Sequence, residues 1–72
     1  MWNAAFSERD QQRATAWTQA LRPYHSEVAT QTLVEMMIAK EKWGVMYSTE
    51  QEAVLARAYH VIRKAATSVP SS

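Results

Sequence analysis

The side chains able to do acid–base or metal chemistry are few and scattered. The two histidines, His25 and His60, stand 35 positions apart with no partner at ligand or triad spacing. There are seven carboxylates: Glu8, Asp10, Glu27, Glu35, Glu41, Glu50 and Glu52. All but Glu35 and Glu41 fall in the first turns of expected helices, where the helix dipole favours negative charge without any reaction to perform. Cysteine is absent, and the single glycine cannot build a phosphate loop. The Glu-x-x-His motif of di-metal bundles is missing. The chain is therefore expected to be non-enzymatic, with no metal and no cofactor.

The remaining chemistry is recognition. Met36-Met37-Ile38 is followed by Trp43 and then by Val45-Met46-Tyr47. Methionine adapts to irregular surfaces, and tryptophan and tyrosine are the common anchors of protein interfaces. Met36, Met37, Trp43, Met46 and Tyr47 are thus candidate protein-binding residues. The competing reading is that each is core, with Val45 or Tyr47 stapling the next helix. A smoother strip at Ala53 and Ala56 would admit close helix packing.

A second reading makes Gly44 the turn of a helix-turn-helix unit, with Gln51, Arg57, Arg63 and Lys64 contacting DNA from the third helix. Glu50 and Glu52 would then face phosphates at the point of entry. The Gly44–Ser48 link is long for such a turn, and the basic residues lie toward a helix C-terminus, where the dipole favours them. Membrane-surface binding through Arg9, Arg13, Trp17 and Arg22 is opposed by Glu8, Asp10 and a narrow apolar stripe.

These residues have to be placed by three helices. Ser7, with Asp10 three residues on, opens a helix over about 7–21, and Phe6, Arg13, Ala14, Trp17, Leu21 and Tyr24 fall near one stripe. Pro23 ends it and should push Arg22 away from helical geometry. A second helix is expected over about 25–43, closed by Gly44. Its apolar residues lie almost all round, the pattern of a helix contacted from several sides. Ser48-Thr49-Glu50-Gln51 is a capping box that opens a third helix over about 49–66. There Val54, Leu55, Ala58, Val61, Ile62 and Ala65 make one apolar face. The Ser-rich stretch 67–72 is expected to fray.

The expected fold is an all-α three-helix bundle, a single domain over residues 1–66, with the second helix central. Composition explains why such a bundle would seek company. Leu, Ile, Val and Phe number only twelve of 72 residues, and alanine supplies twelve more. A chain of this size buries only about 60 % of its unfolded surface, and small domains without disulfides or metals commonly rely on association. The net charge of +1 gives no whole-chain pull toward polyanions. No apolar run is longer than the four residues of Met36 to Ala39, far short of a membrane span, and the N-terminal residues carry no secretory pattern. The reading that follows is a small cytoplasmic regulatory or adaptor protein that binds another protein, or itself as a homodimer, and modulates or inhibits it. Accessory factors of bacteria and phages are often of this kind.

Overall fold

Three serines and one glycine set the limits of the helices. A computed structural model describes residues 6–68 of the chain, and within them lie α1 (Glu8–Leu21), α2 (Glu27–Trp43) and α3 (Thr49–Ser68). Ser7 Oγ accepts the Asp10 amide at 3.2 Å, and Ser26 Oγ accepts the Ala29 amide at 3.2 Å. At α3 the capping box is complete. The Gln51 amide donates to Ser48 Oγ, and the Ser48 amide donates to Gln51 Oε1, both at 3.2 Å. Gly44 takes the left-handed conformation (φ 66°, ψ 30°) and donates to the Lys40 carbonyl, closing α2.

Three boundaries differ from expectation. The Ser26 cap leaves His25 outside α2, in the turn. Arg22 keeps right-handed helical geometry (φ −51°, ψ −43°) although proline follows. Its amide still reaches the Thr18 carbonyl at 3.0 Å, and that bond offsets the steric disfavour. The helix nonetheless stops there, because Pro23 has no amide to continue it. Finally, α3 runs on through Ser68, past the expected end at residue 66, since no glycine or proline interrupts it. Thr67 is helical rather than part of a tail, and residues 69–72 of that tail lie outside the described residues.

All three helices pack against one another. Among the described residues the buried side chains are Phe6, Ala14, Leu21, Thr30, Leu33, Val34, Met37, Ile38, Leu55 and Ala58. Half of these come from α2, so the helix with the most apolar sides supplies more of the core than either other helix. The contact between α2 and α3 is thinner than the contact of either with α1. The small residues Ala14 and Ala58 let the backbones approach. Trp17, Tyr47, Tyr59, Val61 and Ile62 close over this centre half-buried.

A polar network ties the end of the bundle where α1 begins and α2 finishes. Arg13 pairs with Glu41 at 2.8 Å and lies 4.6 Å from the Trp17 ring centre, which explains an arginine on an otherwise apolar stripe. Trp17 meets Tyr59 edge to face at 5.9 Å. The Tyr59 hydroxyl shares its proton between the Met37 carbonyl at 3.2 Å and Glu41 at 3.1 Å. Partial burial and the neighbouring Glu41 charge push its pKa up from 10.0 to about 12. Lys42 donates to Asp10 at 3.0 Å and thereby holds that carboxyl below its ordinary value. Lys40 pairs with Glu52 of α3.

Candidate functional site

The five proposed protein contacts do not share one environment. Met37 is fully buried among the core residues, so it leaves the set. It faces inward because its position on α2 falls in the middle of the arc defined by Thr30, Leu33, Val34 and Ile38. Any contact through Met37 would require the bundle to open.

Trp43, Met46 and Tyr47 lie where α2 ends and the loop to α3 begins, and Met36 lies two turns earlier on α2. Met46 is 91 % exposed and Trp43 55 % exposed. Val45 beside them is also exposed. Tyr47 turns inward: its hydroxyl donates to the Met36 carbonyl at 3.2 Å, which lays the loop against α2. Met36 is half-buried and lines a shallow apolar groove of about 240 Å³ with Leu33 and Val54, bordered by Glu50 and Gln51. The groove runs along the thin α2–α3 seam. The Tyr47–Met36 bond joins it to the loop that carries Met46. Trp43 leans the other way, stacked on Phe6 at 6.1 Å, with the Lys42 ammonium 5.6 Å from its ring centre.

The proposed DNA contacts are divided as well. Gln51 sits in the first turn of α3 with its side-chain carbonyl engaged by Ser48, and it borders the apolar groove instead of standing free to read a base. Arg57, Arg63 and Lys64 are exposed further along the same helix. His60 lies exposed among them, and His25 is half-buried in the α1–α2 turn.

Exposed apolar residues outside these sets are Val28, Tyr24 and Val54. Spacing aligns Tyr24 with the α1 stripe. The chain leaves the helix at Pro23, so that register ends one residue too early, and Tyr24 is 66 % exposed. The proline was the available signal. Val54 belongs to the apolar face of α3 but lies at its open edge, where the α2–α3 contact is thin.

Among the described residues no group of three or more metal-ligating side chains comes together. No helix among them is long and apolar enough to cross a membrane. Comparison with family models, with curated proteins and with solved structures gave no match.

Proposed function

We propose that this chain is a small non-enzymatic regulatory or adaptor protein of the cytoplasm that acts by occupying a surface of another protein. The observation that carries this reading is Met46. A large apolar side chain at 91 % exposure, on a loop between exposed Trp43 and half-buried Tyr47, contributes almost nothing to the fold of the chain. With the Met36–Leu33–Val54 groove beside it, the surface has the form of an anchor next to a shallow apolar slot. Bound there, the chain would block that part of its partner or hold one conformation of it, the action of an accessory inhibitor or modulator. A second copy of the chain is the other occupant the surface could take.

Met46→Lys is the appropriate probe, because Trp43→Ala would also uncover Phe6 and so mix folding with binding. The substitution should leave the helical circular dichroism and the melting temperature unchanged. Affinity capture from the source cell, repeated with the variant, should then retain a protein on the wild-type chain and lose it on Met46→Lys. Light scattering of the wild-type chain distinguishes a second copy from a foreign partner. A partner held equally well by Met46→Lys and by a Met46→Lys, Val54→Lys double variant would refute the assignment of this surface.

A further inference from the structure

The chain has four thioethers and no thiol. With no cysteine to compete, a methionine is the side chain that a peroxide oxidises first, adding one oxygen to give a sulfoxide. Met1 lies outside the described residues, and the other three stand in three environments. Met37 is fully buried in the core. Met36 is half-buried in the wall of the α2–α3 groove. Met46 is 91 % exposed. Exposure decides which thioether an oxidant in solution reaches, and Met37 can react only when the bundle opens.

The backbone around Met46 is held on both sides. Before it, the Gly44 amide donates to the Lys40 carbonyl at 2.9 Å. After it, the Tyr47 hydroxyl donates to the Met36 carbonyl at 3.2 Å, and Ser48 and Gln51 close the capping box of α3. None of these bonds uses the Met46 side chain. An oxygen added to its sulfur therefore leaves the fold intact, whereas the same oxygen on Met37 would place an unpaired acceptor in the core. Oxidation at position 46 acts on the surface alone.

We propose that Met46 is a reversible oxidation site, and that a peroxide acting there switches off the apolar anchor it provides. The second half rests on the protein-binding reading.

In the forward step a lone pair of the sulfur attacks one peroxide oxygen. The S–O bond forms as the O–O bond breaks, and the sulfur gives up two electrons. With hydrogen peroxide, the departing hydroxide takes the proton of the transferred oxygen and leaves as water. A dithiol reverses the step through a methionine sulfoxide reductase: it supplies two electrons, becomes a disulfide and releases the oxygen as water. The sulfoxide is polar, so an apolar pocket that accepts the thioether loses that contact and would have to cover an unpaired acceptor. A bound partner, in turn, shields the sulfur from the oxidant.

The test treats the full chain with limiting hydrogen peroxide, quenches with catalase and maps the oxidised peptides by mass spectrometry. Met46 should be converted ahead of Met36, and at least about 10-fold faster than Met37, whose reaction waits on opening of the bundle. The chain oxidised at Met46 alone should keep the wild-type circular dichroism and melting temperature. The two sulfoxide reductases, one for each epimer, should return the original mass. Conversion of Met36 or Met37 as fast as Met46, or a melting temperature lowered by the Met46 sulfoxide, would overturn the proposal. Affinity capture is then repeated with the reduced chain, the Met46-sulfoxide chain and Met46→Leu. The protein that Met46→Lys loses should be held about 10-fold less well, or worse, by the sulfoxide chain, from the loss of one buried apolar side chain, and regained after reduction. Met46→Leu should hold it before and after peroxide. Equal capture by the sulfoxide chain would overturn the switch. A reduced wild-type chain that holds nothing lost by Met46→Lys is a failure of the binding reading and takes the switch with it, while the peptide map still decides the oxidation site.

Discussion

Thr30 is fully buried in the first half of α2, and its hydroxyl oxygen has no hydrogen-bond partner. Its amide is satisfied by the Ser26 carbonyl at 2.9 Å, so the unmet group is the side chain alone. An unpaired buried hydroxyl costs about 1–3 kcal/mol. Valine has nearly the same shape, has similar helix propensity, and puts a methyl among the core residues around position 30. Thr30→Val should therefore stabilise the chain by about 1–2 kcal/mol. At roughly 4–8 °C per kcal/mol for a domain of this size, the melting temperature should rise by about 4–16 °C. Thermal and urea unfolding followed by circular dichroism would measure this, with the urea m-value unchanged. Two controls separate the causes. Thr30→Ser keeps the hydroxyl and loses the methyl, and should destabilise. Thr18→Val removes a hydroxyl that donates to the Ala14 carbonyl at 2.7 Å, and should bring no gain. A Thr30→Val chain no more stable than the wild type would refute the reasoning, because the hydroxyl would then have a partner in solution.

Two further outcomes follow from single sites. Gly44→Ala should destabilise by about 1 kcal/mol purely through left-handed strain, since a Cβ at that position meets nothing within 4 Å; a loss much larger than this in urea unfolding would point to a contact instead. Tyr59 should ionise near pH 12, so an alkaline absorbance titration should lose that component in Tyr59→Phe. The neutral phenol is the form favoured by the fold. Its contribution to stability is therefore complete below pH 10.0 and disappears as pH rises toward about 12. A wild-type stability flat across that window would contradict the burial described for Tyr59.

Most of the local structure was legible because it rests on short-range chemistry. Ser7, Ser48 with Gln51, and Gly44 act within a few residues of themselves, and each occupies the helix end that its type implies. Legibility failed where a neighbour in space or a backbone bond outweighed the local preference. The Thr18 hydrogen bond kept Arg22 helical before a proline. Spacing along α1 could not place Tyr24, because the turn at Pro23 broke the register on which spacing depends.

The sequence by itself determined the number of helices, their caps and the scarcity of catalytic groups, since all three are set by residue type and by separations of three or four positions. Only the packing decided which apolar residues are spent on the core. Met36 and Met37 are adjacent and chemically identical, yet one turns into the centre and the other lines a surface groove, because the arc of α2 that faces α1 and α3 has an edge between them.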